Sequence, residues 1–311
     1  MKKIENGIVF SNDIGRILKG YNALDFKYNK RGMYVPSDSF IGTLRNDFKK
    51  EVENIFENKV WIISEEMMLE SMNDCISDVL DVIPIVSLDK IYLVQDNDNI
   101  KFLDCTRLNG ESGLISRKYC NDLGNVEKQI RNLATELKNN NESQIVLVDD
   151  VVFSGNVLKK VIEIFKNYGI EVIGIRSCIG TSEAYEYFND VLPLKLKCGY
   201  LLGQEVIDQV CERDFYFGIA QSGISIQGEN GVIYKAPYFY PFGNPNERAS
   251  IPMKDTEEFS QGCIERSIRL FKEIEEISSR DIYTSELPER INGVPEDERV
   301  LKLLKRNERR I

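Results

Sequence analysis

The fold is decided by the stretch Ile145-Val146-Leu147-Val148-Asp149-Asp150-Val151-Val152-Phe153-Ser154-Gly155-Asn156-Val157. Its opening apolar run lies between turn signals, which is typical of a strand covered on both faces. A short loop with Ser, Gly and Asn follows, and apolar residues then recur at helical spacing as far as Tyr168. A second apolar run at 170–175 completes a β-loop-α-β unit, for which we expect parallel strands and a right-handed crossover.

Two adjacent carboxylates, Asp149 and Asp150, stand at the carboxyl end of this strand, where open α/β sheets bind ligands. The next helix opens with free N–H donors and a positive dipole, which suit a phosphate, and Gly155 lets the backbone approach closely. Acids beside an anion site indicate a ligand with hydroxyls as well as phosphate, such as a ribose 5-phosphate. The alternative is a strand that ends in solvated acids before a helix capped by Ser154.

Composition limits the chemistry. The chain has 311 residues, of which 42% are hydrophobic, so it can bury a sizeable core. Its net charge of -10 makes a uniformly acidic surface that binds nucleic acid poorly outside a local basic patch. It has no histidine, which excludes a Ser-His-Asp triad, a Cys-His pair, a HExxH zinc site and any histidine base.

Cysteine usage and the N-terminus predict a soluble cytoplasmic protein. The seven cysteines include no CxxC pair and lie mostly in apolar segments, which indicates buried free thiols in a reducing compartment. Residues 1–7 lack the apolar region of a signal peptide, and no run reaches the roughly 18 apolar residues of a membrane span. No membrane contact is therefore expected.

The remaining patterns predict an α/β fold with a largely parallel central sheet. Three portions are expected: a mostly helical one at 1–89, an α/β core at 90–235, and an aromatic, Pro-rich lid with C-terminal helices at 236–311. The β-rich runs 91–94 and 100–103 flank a turn composition and predict a hairpin. Other predicted elements are strands at 60–63 and 194–198 and helices at 67–80, 124–139, 157–168, 182–188 and 259–277.

The segment 146–157 resembles the phosphoribosyl-diphosphate (PRPP) motif of the type I phosphoribosyltransferases. In that motif a hydrophobic strand precedes two acids, two or three hydrophobic residues, Thr or Ser, Gly, any residue, and Thr or Ser. The resemblance implies that Asp149 and Asp150 bind the ribose hydroxyls and serve catalysis. It also implies a 5-phosphate cradle made of Phe153, Ser154, Gly155, Asn156 and Val157.

The same resemblance implies the sheet architecture of that family and a function. The expected ligand is PRPP or another ribose 5-phosphate nucleotide, and the expected reaction transfers the phosphoribosyl group and releases diphosphate. Mg²⁺ is expected to arrive with the PRPP diphosphate rather than at a metal site of the protein. A homodimer is also implied.

This sequence departs from the family pattern at two positions. Phe153 stands where purine-base members carry an Asp near the base, which argues against purine salvage with that acid as proton relay. Val157 replaces the second Thr or Ser, and the loss of one hydroxyl donor typically costs about 0.5–1.5 kcal/mol of binding.

The Gly-rich diphosphate loop of the family is not recognisable. The nearest candidate is the stretch 104–113, where Arg107 would pair with a diphosphate; a hairpin tip or plain surface loop is the alternative. Arg117 and Lys118 follow, where the family often has a mobile loop.

The late region offers Arg213, Asp214 and Arg248 as substrate-pocket candidates, with a packed lid holding a buried Arg–Asp pair as the alternative. This region is similar to a divergent bacterial branch of phosphoribosyltransferase-like proteins, some of them in stress or phage-conflict gene clusters. The basic tail at 299–310 is interpreted as a solvated helix face, with a nucleic-acid contact as the alternative.

Three functions therefore stay open. The first is a phosphoribosyltransferase, the second a non-catalytic regulator that senses PRPP or a nucleotide, and the third a stress or phage-defence effector that acts on nucleotides. The unrecognisable diphosphate loop fits the regulator better than the enzyme.

Overall fold

A computed structural model of the chain describes residues 1–20, 28–93, 97–107, 114–115, 125–228 and 232–309. The strands are β1 (Lys2–Ser11), β2 (Val60–Ile63), β3 (Ile85–Ser87), β4 (Ile100–Phe102), β5 (Thr106–Arg107), β6 (Leu114–Ile115), β7 (Gln144–Val152), β8 (Glu171–Thr181), β9 (Leu196–Cys211), β10 (Ile224–Gln227) and β11 (Ile233–Ala236). The α-helices are α1 (Ile14–Lys19), α2 (Asp38–Ile55), α3 (Glu65–Ile76), α4 (Val126–Asn139), α5 (Asn156–Asn167), α6 (Ser182–Glu186), α7 (Pro245–Ala249), α8 (Thr256–Ser278) and α9 (Val300–Glu308).

The central sheet is parallel and has the strand order β2-β1-β9-β8-β7-β3-β4. Strands β7 and β8, which α5 connects in the chain, pair in parallel, as the β-loop-α-β pattern predicts. The α/β class with a largely parallel sheet is therefore confirmed. Two antiparallel pairs, β5-β6 and β10-β11, lie outside this sheet.

The chain forms two compact units, and each combines separate segments. The first comprises 1–6 and 64–206, and the second comprises 7–63 and 207–311. Strands β1 and β9 contribute residues to both units. The three portions expected from sequence order, with divisions at 89/90 and 235/236, stay a prediction.

In the first unit, β7 is covered on both faces. Ile145 and Leu147 pack in one hydrophobic cluster with residues of α4 and α5, such as Ile130 and Phe165. Alternate strand residues point to opposite faces, and Val146 and Val148 are also fully buried. On β8, backbone carbonyls accept hydrogen bonds from α3 side chains, and α3 packs against that strand. The near-continuous apolar run is the pattern that such a doubly covered strand requires.

The second unit has an aromatic core. The rings of Phe10, Phe48, Phe215 and Phe259 lie with neighbouring centroids 5.1–5.9 Å apart, mostly edge to face. Helices α2 and α8 pack together in this unit, and α9 packs against α8. Edge-to-face packing of this kind adds to the free energy gained from burying the rings.

One prediction about a chain segment is corrected. The hairpin of 91–94 with 100–103 is wrong, because β4 pairs in parallel with β3 and residues 91–93 are not a strand. The carboxylate of Asp89 accepts the N–H groups of all three of those residues, which ties them into a turn.

The described cysteines confirm the expectation of buried thiols. Those that are buried and form no disulfide bond are Cys75, Cys105, Cys178, Cys198, Cys211 and Cys263. Within the described ranges, no helix is long and apolar enough to cross a membrane.

Candidate functional site

The paired acids lie in the last part of β7 rather than after it, because this strand runs on to Val152. The neighbouring strand β3 ends at Ser87, opposite Val148, so Asp149 and Asp150 extend past its end. Both are half-buried. Their side chains also contact the local backbone: Asp149 Oδ1 accepts from the Asp150 N–H (3.1 Å), and Asp150 Oδ1 accepts from the Val151 N–H (2.8 Å).

The loop between β7 and α5 is short, and a hydrogen bond from β8 holds it in place. The Phe153 carbonyl accepts a hydrogen bond from the Thr181 hydroxyl (2.5 Å), and the same hydroxyl accepts from the Ala184 N–H at the start of α6. The Phe153 ring is 48% exposed. The loop backbone is therefore held from the neighbouring strand β8, while its aromatic side chain faces solvent.

Helix α5 begins in a way that suits an anion. Gly155 precedes the first helical residue with a φ of 69°, in the left-handed region that favours glycine. It has no side chain to cap the helix, so the alternative of a Ser154 cap does not hold. The helix has 12 residues, and its first N–H groups have no intrahelical acceptors. Asn156 is exposed, and Ser154 and Val157 are half-buried beside it.

The structure therefore brings the predicted 149–157 residues together: two carboxylates end a central strand, and a positive-φ glycine opens a helix directly after them. The family model PRTase-CE, in which PRTase abbreviates phosphoribosyltransferase, matches residues 45–216, more than half of the chain.

The chain belongs to the PRTase-CE family.

This membership confirms the resemblance to the type I phosphoribosyltransferase superfamily. Two solved structures are similar to this PRTase-CE chain. One, "orotate phosphoribosyltransferase from Aeropyrum pernix", has 12% identity and a TM-score of 0.29, over 44% of this chain and 70% of that one. The other, an orotate phosphoribosyltransferase of Mycobacterium tuberculosis H37Rv in complex with inorganic phosphate, has 10% identity and a TM-score of 0.27, over 47% and 72%. Neither alignment adds to what the family match establishes. No curated protein matches.

A third acid of the PRTase-CE chain, Asp89, follows β3 and was missed from the sequence. It is 3% exposed, and its carboxylate accepts from the N–H groups of Ile91 (2.8 Å), Tyr92 (2.8 Å) and Leu93 (3.0 Å). Burial raises the pKa of Asp89 to about 6, and the charge of Asp150 raises this pKa as well, whereas the three N–H donors lower it. The short, mostly apolar run 85–88 before an acid is similar to the pattern of β7 and was the available signal.

Lys159 is a second residue that sequence reasoning missed. It lies in the first turn of α5, and its Nζ is 3.5 Å from Asn156 Oδ1 and 3.6 Å from the centroid of the Tyr187 ring. A side chain on a helix points back toward the N-terminus, so this cation lies beside the loop. The signal was a basic residue four positions after the glycine.

The predicted diphosphate candidate is described only in part. Residues Thr106–Arg107 pair antiparallel with Leu114–Ile115, the arrangement of the hairpin alternative. Stretches 108–113 and 116–124 lie outside the described residues, and Arg117 and Lys118 fall among them. The role of Arg107 in binding diphosphate stays a prediction.

The late candidates belong to the second unit. Arg213 donates to Asp13 through its backbone N–H (2.9 Å) and forms an ion pair with the same carboxylate through Nη1. Asp214 accepts from the Gly223 N–H (2.7 Å), and Arg248 lies half-buried in α7. The substrate-pocket role of Arg213, Asp214 and Arg248 stays a prediction.

Asp149 and Asp150 give the first unit two adjacent carboxylates that Mg²⁺ could contact. Among the residues that the structure describes, no group of three or more acidic or cysteine side chains is arranged to hold a metal ion. Mg²⁺ usually binds one or two carboxylates together with substrate phosphates. Asp149 and Asp150 therefore fit a metal that arrives with a diphosphate.

Proposed function

We propose that this PRTase-CE protein binds PRPP through residues 149–157 and transfers its phosphoribosyl group to an acceptor with release of diphosphate. The observation that carries the proposal is the position of two carboxylates at the carboxyl end of β7. They are followed almost directly by the start of α5, which no side chain caps. Hydroxyl-binding and phosphate-binding groups are then separated by only a few residues, as a ribose 5-phosphate requires.

The phosphate end of the ligand is assigned to the loop 153–157. The N–H groups in the first turn of α5 donate to the phosphate oxygens, and the helix dipole favours the negative charge. Lys159 adds a full positive charge that the loop itself lacks. This cation offsets the hydroxyl missing at Val157, because a hydrogen bond to a charged group contributes about 1.5–3 kcal/mol and a neutral one about 0.5–1.5 kcal/mol.

The ribose end is assigned to Asp149 and Asp150. A carboxylate is an acceptor and matches the 2- and 3-hydroxyls of ribose. When the bond from C1 to the diphosphate breaks, positive charge develops on the ribose ring, and nearby carboxylates stabilise it. The protein's contribution is therefore mainly positioning and electrostatics.

The absence of histidine restricts how the acceptor loses its proton. Because the chain contains no imidazole, the proton is accepted either by a carboxylate at the carboxyl end of β7 or by the acceptor molecule itself. When Mg²⁺ is bound with the diphosphate, it supplies charge neutralisation for the leaving group. Asp149 and Asp150 are the residues that would contact such a metal.

A specific observation favours a regulator as the second candidate. Strand β3 adjoins β7, so the segment that begins at Leu88 lies beside the paired acids, and its first N–H donates to the Val148 carbonyl (2.8 Å). This segment contains the buried acid Asp89, whose negative charge beside Asp150 opposes the binding of a diphosphate there. Such a site suits binding of a phosphate ester without turnover.

The binding test uses thermal protection by PRPP with Mg²⁺. We expect strong protection of the wild type, about 2.7 kcal/mol when PRPP is at 100 times its Kd. We expect weak protection of Asp149→Asn and Asp150→Asn. The matched control is Asp190→Asn, an exposed acid of the same unit, which should be protected like the wild type.

Equal protection of wild type and the two aspartate variants would show that the site assignment is wrong. Diphosphate release is then measured with nucleobases and amines as acceptors. Release by the wild type but not by Asp150→Asn supports the transferase. Protection without release from any acceptor supports the regulator.

A further inference from the structure

The C-terminal helix α9 presents a cationic face. Its apolar residues Val300, Leu301, Leu303 and Leu304 are buried, and the helix packs against α8. The opposite face carries Lys302, Lys305, Arg306 and Arg309 at the spacing of neighbours on a helix surface. These basic residues are all exposed, although the whole chain has a net charge of -10.

A groove follows this face. It has a volume of about 430 Å³ and is lined by Arg299, Leu301, Lys302, Lys305, Arg306 and Arg309. Five of these six residues are cationic. An adjoining hollow of about 670 Å³ shares Arg299, Leu301 and Lys305 with it. Its charge is mixed, because it is also lined by the cations Lys272 and Arg280 and by the acids Glu275, Glu276 and Asp281.

The groove carries more positive charge than its neighbours neutralise. Arg306 forms two hydrogen bonds with the Glu298 carboxylate (2.7 and 2.9 Å), and Lys302 lies 3.9 Å from the same group. Arg299 pairs with Glu275 and Asp281. Within the described ranges, Lys305 and Arg309 form no ion pair. Two cations therefore remain for an anionic partner.

An exposed aromatic ring stands next to the groove. Tyr283 is 40% exposed and forms an antiparallel β-bridge with Arg299. Basic grooves combined with exposed aromatic rings are the arrangement that binds single-stranded nucleic acid, because the cations follow the phosphates and the rings stack on bases. The row from Lys302 to Arg309 is about 10 Å long, at about 1.5 Å per helical residue.

We propose that this groove binds single-stranded nucleic acid, with Lys305 and Arg309 on the phosphates and Tyr283 stacked on a base. Charge complementarity and the adjacent ring argue for this occupant over an acidic peptide, which would not use the ring. The proposal does not rest on the ribose-phosphate site, since all of these residues belong to the second unit.

The test is fluorescence anisotropy with dye-labelled single-stranded DNA and RNA of about 12 nucleotides, within the usual range of such sites. We expect the double variant that combines Lys305→Glu and Arg309→Glu to bind the oligonucleotide about tenfold more weakly, or weaker still, at low salt. The slope of log affinity against log salt should also fall by about 1.4, because each phosphate contact on a single strand contributes about 0.7. Tyr283→Ala should weaken binding about fivefold or more with little change in this slope.

The matched control is Lys50→Glu with Lys59→Glu, two exposed lysines of the same unit, which should bind like the wild type. Thermal unfolding of each variant checks its fold, and Lys305→Gln with Arg309→Gln replaces the charge reversal if that variant does not fold. Polyglutamate should not compete. The proposal is overturned if the wild type does not bind at low salt, if the α9 variants bind like the control, or if polyglutamate displaces the oligonucleotide.

Discussion

Gly155 and Phe188 lie so close that a β-carbon added to Gly155 would be 2.5 Å from Cε2 of the Phe188 ring. Phe188 is fully buried in the short π-helix Tyr187–Val191 that follows α6, and Gly155 also has a positive φ. The Phe188 ring therefore packs directly against the backbone at the start of α5. Glycine is required at position 155 both because this ring leaves no room for a side chain and because the backbone has a positive φ.

Gly155→Ala should destabilise the protein by about 2 kcal/mol or more, because left-handed strain and the clash with Phe188 add. It should also weaken PRPP protection, since the loop must shift. Urea unfolding measures the loss of stability, and thermal unfolding with and without PRPP measures the loss of protection.

Two glycines provide controls for Gly155→Ala. Gly293 has a φ of 73° with open space around it, so Gly293→Ala isolates the backbone strain. Gly42 lies inside α2 with no neighbour within 4 Å of an added β-carbon, so Gly42→Ala should stabilise by about 0.5–1 kcal/mol. If Gly155→Ala proves no worse than Gly293→Ala, the contact with Phe188 is not limiting.

Lys159→Gln should weaken binding of ribose 5-phosphate about tenfold, because a hydrogen bond to a charged group is lost. Isothermal titration at low salt measures the affinity. Lys160→Gln is the matched control, since the next residue of α5 points about 100° away around the helix and should leave the affinity unchanged. Equal affinities of the two variants would remove Lys159 from the phosphate site.

The pH dependence of stability should report the coupling of Asp89 and Asp150. Burial, with the Asp150 charge, raises the pKa of Asp89 from 3.8 to about 6. Between about pH 4 and 6 the folded state then holds more protons than the unfolded state, so this group's contribution to the free energy of unfolding decreases as pH rises. In Asp150→Asn the pKa of Asp89 should be lower. The loss of unfolding free energy between about pH 4 and 6 should then be smaller, by about 1.4 kcal/mol for each unit by which this pKa falls.

Urea unfolding from pH 4 to 7 measures this difference. Asp190→Asn, which removes an exposed acid, should keep the wild-type profile. Identical profiles for wild type and Asp150→Asn would mean that the two carboxylates do not interact.

Arg213→Met should destabilise the second unit by about 3–5 kcal/mol, because it leaves the buried carboxylate of Asp13 without its cation. Burial raises the pKa of Asp13, whereas the charge of Arg213 lowers it, so the ionised carboxylate depends on this partner. Adding Asp13→Asn to the variant should therefore restore part of the lost stability. Urea unfolding is the measurement.

The control for Arg213→Met is Arg269→Met, because the Arg269–Asp47 pair is about half exposed and should contribute only about 0–1 kcal/mol. If Arg213→Met is as mild as this control but abolishes turnover, Arg213 serves the substrate pocket instead of the fold.

The sequence by itself determined the part of the molecule where signals are local. The apolar run 145–148, the twin acids and Gly155 predicted a doubly covered strand, its parallel partner and the start of α5, because periodicity and turn chemistry depend on adjacent residues. They also predicted the family. The lack of histidine limited the chemistry without any knowledge of the fold.

Only the tertiary structure decided which distant residues join this loop. Strand β3 has three residues, too few for a periodic signal, so its pairing with β7 was not predictable. The sequence could have marked Asp89 as an acid that follows a short run, but only this pairing places it beside Asp150. The same holds for Phe188 under Gly155. Hydrogen bonds of Asp89 also turned the apparent hairpin strand 91–93 into a turn, because a buried carboxylate that accepts three backbone donors outweighs a local preference for strand.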